Sequence, residues 1–358
     1  MMIAGFLLML GPLVTLHELG HYLVGRWFGV GANVFSVGFG KEIVGRTDSR
    51  GTRWRLSAIP LGGYVQFKGD MSPASQPDPN AAAEAGTFQS ARLYQRALIV
   101  AAGPVTNLLI AVLIFAGFAM SYGVPSTPPL VEGFAEDSPA QVAGLEVGDL
   151  ITAIDGDDVD TFQQVQEKIL PFPGRTVDVT YDRGGTERST QITIADLAMV
   201  DRFGNESRIG RIGVASSSRV LETVGPIAAV GYGVDASFNM MGMMVTGIKQ
   251  IIVGERSVKE LGGPLTIAKL SGERLSLGPL PFVELLAFIS INLAFINLLP
   301  IPTLDGGHLA FYAAEAIRRK PASPRSQEWA FRTGMAFVLA LMLFVTVLDI
   351  AKLPIFGS

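Results

Sequence analysis

The chain has 358 residues and a formal net charge of −4; 49% of its residues are hydrophobic and only 17% are charged. This weakly acidic balance gives no electrostatic reason to bind nucleic acid, and so apolar a chain is hard to keep soluble in water. The absence of cysteine excludes a disulfide framework and a thiolate metal site. Any bound metal must therefore take nitrogen and oxygen ligands.

Four apolar stretches are long enough to cross a bilayer, which takes about 20 helical residues. They cover residues 2–24, 97–122, 283–314 and 333–348, and the last is the shortest. The first has neither a basic leader nor a small-residue cleavage pattern, so we expect it to be retained rather than removed as a signal peptide.

The first span contains the motif His17-Glu18-Leu19-Gly20-His21. Positions i and i+4 share one face of a helix, so His17 and His21 can bind one zinc ion while Glu18 acts as a base. The same motif also occurs by coincidence on soluble helices. However, an ionisable residue inside a span costs roughly 2.5–3.5 kcal/mol, which favours a functional role. The motif therefore predicts hydrolysis inside the bilayer.

A loop region of residues 28–95 separates the first two spans. Residues 34–44 and 52–67 are rich in β-branched and aromatic residues, which predicts β-hairpins near the membrane. Residues 71–86 are rich in proline, alanine and serine, which is typical of a flexible stretch. Lysine and arginine are frequent in this loop and in residues 317–330, so both are predicted to be cytoplasmic.

The long segment after the second span shows the pattern of one PDZ-like domain. Its predicted elements are a short helix at 138–145, a strand and turns at 147–156, an amphipathic helix at 161–170, and strands at 176–181 and 188–194. Residues 195–221 are too few for a second such domain. PDZ-like domains bind extended peptides or free C-termini by adding a strand to a sheet edge. A purely structural domain is the alternative.

Residues 226–281 contain many apolar residues and methionines without a run long enough to span, as in 238–245. We predict an amphipathic helix resting on the outer membrane surface or on the PDZ-like domain. A methionine stripe serves either plain packing or substrate contact.

The third apolar stretch contains a polar motif from Asn297 to His308. A catalytic zinc ion usually has three protein ligands and one open position, so Asp305 would complete the set with the two motif histidines. His308 lies one turn further and is either a rival ligand or a partner that orients the carboxylate. Prolines and glycines around Asp305 predict a broken helix, which is tolerated at membrane depth where protein encloses it or where it lines a wet cavity.

These motifs, together with Gly-Pro-Val-Thr-Asn at 103–107 and residues 261–269, resemble the site-2 protease family of intramembrane zinc metalloproteases. The resemblance is strongest to its bacterial branch, which regulates sigma-E. It implies that Zn²⁺ is bound by His17, His21 and Asp305 and that Glu18 is the catalytic base. It also implies a substrate path along Asn107, Asn297, Pro300, Pro302, Gly62, Gly63 and Tyr64.

The resemblance further implies regulated intramembrane proteolysis. The expected partners are single-span membrane proteins, such as anti-sigma-factor-type regulators pre-cut by another protease, and remnant signal peptides. The expected location is the bacterial inner (plasma) membrane, with the PDZ-like domain on the periplasmic, extracytoplasmic side. Better-known members carry two PDZ modules, whereas this chain shows one. The alternatives are a metal transporter, for which no inverted repeat is visible, and a PDZ-bearing membrane scaffold, which leaves Glu18 without a role.

The predicted fold is a polytopic α-helical membrane protein with about four transmembrane helices, a membrane-associated β-hairpin region and one extracytoplasmic PDZ-like α+β domain. The predicted segments are transmembrane helix 1 with the histidine motif (1–27), the cytoplasmic-side hairpin region (28–95), transmembrane helix 2 (96–123), the PDZ-like domain (124–198), an extracytoplasmic amphipathic helical region (199–282), transmembrane helix 3 with the Asp-Gly motif (283–316), a cytoplasmic loop (317–330) and transmembrane helix 4 (331–353).

Overall fold

The computed structural model describes residues 1–69, 85–200, 206–216, 220–260, 262–320 and 323–351. The flexible stretch predicted at 71–86 lies outside the described residues except for its last two. The chain divides into two compact units. Unit 1 comprises Met1–Phe115 and Gly262–Ile350, and unit 2 comprises Ala116–Leu261 and Ala351–Ser358.

The secondary structure alternates long apolar helices with short strands. In chain order the elements are α1 (Met2–Trp27), β1 (Ala32–Thr47), β2 (Arg53–Phe67), α2 (Leu93–Tyr122), β3 (Val124–Ser126), β4 (Gly133–Phe134), α3 (Pro139–Val142), β5 (Leu150–Ile154), β6 (Asp157–Asp158), α4 (Phe162–Ile169), β7 (Thr176–Arg183), β8 (Thr186–Thr193), β9 (Ala195–Val200), β10 (Glu206–Arg211), β11 (Val214–Ala215), β12 (Val220–Glu222), α5 (Pro226–Ile252), α6 (Pro264–Ser276), α7 (Pro279–Leu298), α8 (Asp305–Arg318) and α9 (Pro324–Ala351).

Within the described residues, four helices, α1, α2, α7 and α9, are long and apolar enough to cross a membrane. The predicted break of the third span is confirmed, because residues 283–314 are divided between two helices: α7 ends at Leu298 and α8 begins at Asp305. Pro300 and Pro302 lack the backbone N–H that a continuing helix requires. The fourth span is longer than the predicted 333–348, since the polar residues before it are also helical.

The region after α1 is a hairpin of β1 and β2 that bends back on itself into four paired segments. Residues 34–37 of β1 pair with 63–66 of β2 on one side and with 53–56 on the other. Residues 44–47 then pair with the same 53–56 segment. The segment around 63–67 is therefore an outer edge of this small sheet. Its Phe67 contacts α1 closely, because a Cβ built at Gly25 would lie on the Phe67 ring.

Helix α6 packs against α1 within unit 1. A Cβ built at Gly5 would lie 2.7 Å from the carbonyl oxygen of Ser271, and one built at Gly272 would lie 2.5 Å from Met2 Cα. Such close backbone approach requires glycine at both positions. Helix α6 therefore belongs to unit 1, although the prediction grouped it with the rest of residues 199–282.

Unit 2 contains an α+β domain with the four-stranded sheet order β6-β5-β7-β8. Its core buries apolar side chains from the sheet and from α4, including Ile151, Val165 and Val179. The predicted boundary at 198 is too early, because β11 pairs with β4, β12 pairs with β3, and Ile212 is buried in the same core. Strands of two or three residues that pair with distant partners leave no periodic pattern in the sequence, so the prediction missed them.

Candidate metal centre

Three potential metal ligands converge in unit 1. The Nε2 atoms of His17 and His21 on α1 are 3.2 Å apart. Asp305, at the start of α8, has Oδ2 3.2 Å from His17 Nε2 and Oδ1 3.6 Å from His21 Nε2. One ligand atom from each residue lies within 4.8 Å of the other two. The break between α7 and α8 thus brings a carboxylate opposite the histidine pair.

These separations fit a zinc ion. Bonds of 2.0–2.1 Å at tetrahedral angles place neighbouring ligand atoms about 3.3 Å apart. The observed 3.2–3.6 Å contacts match this spacing. Asp305 Oδ2 is also buried without a hydrogen-bond partner, which is the state expected of an oxygen that a cation would bind. Two imidazoles and one carboxylate leave a fourth position open for water or substrate.

Hydrogen bonds to the outer nitrogens hold both imidazoles. His21 Nδ1 lies 2.8 Å from the carbonyl oxygen of Ile99. A carbonyl only accepts, so Nδ1 carries the proton and the Nε2 lone pair is left to bind a metal. Ile99 belongs to α2, so this bond fixes the ring of His21 against the neighbouring helix.

His17 is held from the same helix by Asn107. Its Nδ1 lies 3.2 Å from the Asn107 amide nitrogen, while Asn107 Oδ1 is buried without a donor. Turning the amide by 180° would place Oδ1 opposite the ring nitrogen and satisfy both groups, with the proton again on Nδ1. Asn107 is fully buried, and its backbone carbonyl accepts a 2.7 Å hydrogen bond from the Ser290 hydroxyl. It contacts His17 and does not line the cavity described next.

Glycines let α1 and α2 pack closely around the two imidazoles. A Cβ at Gly103 would lie 2.7 Å from His17 Cε1 and would overlap His21 Nε2. A Cβ at Gly20 would overlap Thr106 Oγ1 and lie 2.6 Å from the carbonyl oxygen of Ala102. The glycine of each motif therefore leaves the space that the imidazoles and the neighbouring helix occupy.

Glu18 lies beside the ligand cluster and is held by the hairpin. Its Oε2 accepts a 3.1 Å hydrogen bond from the Val65 backbone N–H. Glu18 and the three ligands line a cavity of about 190 Å³, whose other polar members are Asn297, Thr303 and His308. The cavity has room for several water molecules beside a carboxylate that can accept a proton.

His308 and Asp305 were alternative third ligands on sequence grounds. His308 lines the cavity, but within the described ranges the ligand cluster contains only His17, His21 and Asp305. The His308 ring lies 4.8 Å from that of Phe331. The geometry thus favours Asp305 as the ligand and leaves His308 facing the same cavity.

The predicted substrate-path residues lie in different environments. Asn297 lines the cavity, and Pro300 and Pro302 lie in the break between α7 and α8. Gly63 is next to the base, since a Cβ there would lie 3.6 Å from Glu18 Cγ. Gly62 has a φ of 105°, which favours glycine. Tyr64 is buried and stacks on Phe39 at 6.0 Å.

Sequence reasoning missed the groups that position the centre. They are the carbonyl of Ile99, the N–H of Val65 and the hydroxyl of Ser290, together with the close approach at Gly103. Two of these are backbone groups, which every residue carries, so no residue type could have identified them. The glycine in the 103–107 motif was the one available signal.

Comparisons with known proteins agree with this geometry. The family model of Peptidase family M50 matches residues 5–341. "Putative zinc metalloprotease Atu1380" of Agrobacterium fabrum is 42% identical over 98% of this chain and 96% of its own length. "Putative zinc metalloprotease R01501" of Rhizobium meliloti is 41% identical, covering 96% and 95%. "Metalloprotease MmpA" of Caulobacter vibrioides is 31% identical, covering 99% and 96%.

Solved structures of PDZ domains are similar to a part of the chain. Among them is the PDZ domain of an SdrC-like protein of Listeria innocua, which is 29% identical and covers 26% of this chain and 99% of its own, with a TM-score of 0.21. The family match and the relatives, in contrast, extend over nearly the whole chain. The chain therefore belongs to Peptidase family M50, the site-2 protease family of membrane zinc metalloproteases.

Proposed function

We propose that this metalloprotease cleaves the transmembrane segments of single-span membrane proteins inside the bilayer. The observation that carries the proposal is one buried cavity that combines Glu18 with the His17, His21 and Asp305 cluster among apolar helices. The substrates would be regulators of the anti-sigma-factor type, pre-cut by another protease, and remnant signal peptides. This is regulated intramembrane proteolysis.

The residues of the cavity suit peptide hydrolysis. Bound zinc would act as a Lewis acid that makes water more acidic and polarises the scissile carbonyl. Glu18 would take the proton from the attacking water and deliver it to the leaving amide nitrogen. The Val65 N–H holds one Glu18 oxygen and leaves the other to face the cavity. The Asn297 amide also lines the cavity and can donate a hydrogen bond to the substrate backbone.

The edge of the hairpin is suited to align an unwound substrate. Val65 directs its N–H away from β1 and toward Glu18, so its carbonyl and the backbone groups of Gly63 also point outward. An extended peptide that pairs with these groups would lie beside the base. Gly63 has no side chain to obstruct it.

The size of the cavity limits how a substrate can bind. At about 190 Å³ it is smaller than the roughly 300 Å³ at which binding sites for drug-sized ligands begin. A peptide must therefore be unwound and admitted by a displacement of the surrounding elements. We expect substrates with helix-weakening residues near the cut, because a helix hides its carbonyls in its own hydrogen bonds.

The proposed location is the bacterial inner membrane, with the hairpin region on the cytoplasmic side and the PDZ-like domain outside. Basic residues concentrate in the hairpin region and in the loop before α9, which supports this orientation. The PDZ-like domain would bind the new C-terminus that the first protease leaves on its substrate.

Cleavage by purified protein tests the proposed activity. Wild type, Glu18→Gln and the control Glu187→Gln, an exposed residue of β8, are compared on a synthetic transmembrane peptide in liposomes, with zinc content measured on each. We expect Glu18→Gln to keep its zinc and to lose about 10²- to 10⁴-fold in rate, the contribution of a general base. Glu187→Gln should match wild type. A rate in Glu18→Gln within a few-fold of wild type would refute the role of Glu18.

The absence of native cysteine makes the orientation testable. Single cysteines are introduced at Arg50, in the hairpin turn, and at Thr186, in the PDZ-like domain, both exposed. A membrane-impermeant maleimide added to intact spheroplasts should label Thr186→Cys, and label Arg50→Cys only after the membrane is opened. The reverse pattern would invert the proposed topology.

A further inference from the structure

A second cavity, of about 710 Å³, lies in unit 2 and is independent of the metal centre. Its walls are the loop after α4, strands β9 and β10, and the C-terminal end of α5 with the turn that follows. Its charged members are Arg175, Arg208, Lys249 and Arg256 against Asp196 and Glu255. Asp155 and Glu260, which accept hydrogen bonds from Arg175 and Arg256, balance the excess of cations, so attraction of an anion depends on the individual donors and not on net charge.

The arginines of this cavity are held in place while keeping donors free. Arg175 donates to Asp155 at 2.8 Å and lies 5.1 Å above the ring of Phe172. Arg256 donates to Glu260 at 2.6 Å, and Arg208 pairs with Asp196. Because a guanidinium has five N–H donors, one carboxylate partner orients it and does not exhaust it. The planar fork of a guanidinium matches phosphate, as it does carboxylate, with two parallel hydrogen bonds.

Lys249 differs from the arginines because it makes no ion pair with any residue in the described part of the chain. Its side chain is exposed and lines the cavity. An ammonium group that no carboxylate holds can reach an incoming anion without first breaking an ion pair.

Gln250 gives a second and independent indication of a ligand. It lines the same cavity, is 6% exposed, and its amide nitrogen donates to the carbonyl of Pro171. Its Oε1 is buried and accepts no hydrogen bond. A buried acceptor without a donor is unfavourable by about 1–3 kcal/mol, so the cavity suits a ligand that carries a hydroxyl or N–H donor as well as an anion.

The face of α5 beside the cavity is apolar and exposed. Val245, Ile248 and Ile252 lie at i, i+3 and i+7, and each is exposed. Thr246, Lys249 and Gln250 face the cavity and are offset from that stripe by one residue, or about 100° around the helix. An anion held in the cavity therefore has an apolar surface next to it, as an amphipathic helix at a membrane interface presents.

We propose that this cavity binds a phosphoglycerol group, with the phosphate on Lys249 and the arginines and a glycerol hydroxyl donating to Gln250 Oε1. The source that matches the apolar stripe is an anionic phospholipid such as phosphatidylglycerol, whose acyl chains would lie along Val245, Ile248 and Ile252. The same chemistry in soluble form is glycerol phosphate.

Native mass spectrometry of the delipidated full-length chain in detergent tests the site. Dioctanoyl phosphatidylglycerol, dioctanoyl phosphatidylcholine and glycerol 1-phosphate are titrated separately. We expect phosphatidylglycerol to bind at least about 5-fold more tightly than the zwitterionic lipid, and Lys249→Gln to weaken it about 5-fold, the effect of one basic residue near an anionic headgroup. Arg188→Gln, an exposed basic position on β8 away from the cavity, is the matched control.

Hydrogen exchange locates the ligand and separates the two sources. Phosphatidylglycerol should slow exchange at 171–175 and 246–256, and Gln250→Leu should remove the preference for a glycerol headgroup over phosphatidic acid. If glycerol 1-phosphate protects the same segments at equal concentration, the phosphoglycerol site stands and its lipid source is refuted. Equal binding by wild type and Lys249→Gln, or protection outside these segments, would overturn the proposal.

Discussion

Helices α2 and α4 distribute polar residues in opposite ways. On α4, Val165 and Ile169 are buried and Gln163 is exposed, as on a helix that packs against a core in water. On α2, Leu109 and Leu113 are exposed at 54% and 65%, while Asn107 is completely buried. The difference indicates that lipid surrounds α2 and that water surrounds the exposed face of α4. In lipid, polar side chains gather inside, where they satisfy one another.

The largest effect is expected from filling the space that Gly103 leaves at the buried polar centre. Gly103→Ala would place a methyl group on both imidazoles, so we expect zinc to be lost and activity to fall by more than about 100-fold. Gly117→Ala on the same helix is the matched control, because a Cβ there meets no atom within 4 Å. Zinc content and cleavage rate are measured on both variants. A Gly103→Ala protein with full zinc would contradict the packing described here.

A smaller effect is expected when the group that orients His17 is removed. Asn107→Leu keeps the approximate volume but leaves His17 Nδ1 without a partner, so zinc affinity should fall about 10- to 100-fold, as for other groups that orient a ligand. Competition with a chelator measures the affinity without reference to activity. Leu109→Ala, at an exposed position of the same helix, should leave it unchanged. If the two variants lose zinc equally, Asn107 has no orienting role.

Within unit 1, a buried carboxylate of α9 caps the N-terminus of α6. Asp349 of α9 is 3% exposed and accepts hydrogen bonds from Gly263 N at 3.0 Å, Thr266 N at 3.0 Å and Thr266 Oγ1 at 2.8 Å. Asp349→Ala should destabilise the first turn of α6 by about 2 kcal/mol, which would speed hydrogen exchange there roughly 30-fold. Glu328→Gln on the same helix removes only an exposed ion pair and should change exchange little.

Part of the fold and of the metal centre could be predicted from the sequence. The apolar spans, the histidine motif and the alternating strands of unit 2 follow from composition and period, which act locally. Asp305 was identifiable because prolines and glycines around it interrupt a span. The contacts of Ile99 and Val65 were not, because they depend on which backbone groups the fold brings to His21 and Glu18. The cap by Asp349 joins residues 86 positions apart, and no periodic pattern extends so far.

The smallest predicted effect is in unit 2, where the polar partners lie near water. Asp149 is 1% exposed and accepts two 2.7 Å bonds from Arg183 and one 2.8 Å bond from the Glu146 N–H. The Arg183 guanidinium lowers the pKa of the Asp149 carboxyl below its ordinary value. A lowered pKa in the folded state means that the ionised pair contributes full stability above the unfolded pKa of about 3.9. That contribution is lost as the pH falls through the folded value.

Asp149→Asn keeps the shape and removes the charge, so the PDZ-like domain should lose about 1 kcal/mol at neutral pH. It should also lose part of its sensitivity to acid. Hydrogen exchange at β5 and β7, measured in the full-length protein from pH 7 downward, checks both effects, and Asp182→Asn, near the C-terminal end of β7, is the control. The Asp149–Arg183 pair is stabilised by solvent as well as by its protein partners. Expressed as a free energy, the effect of Asp149→Asn on stability should therefore be far smaller than the effect of Gly103→Ala on zinc binding and activity. If Asp149→Asn and Gly103→Ala had equal effects when both are expressed as free energies, the distinction between a polar centre among lipid-facing helices and a polar pair on a water-facing domain would be refuted.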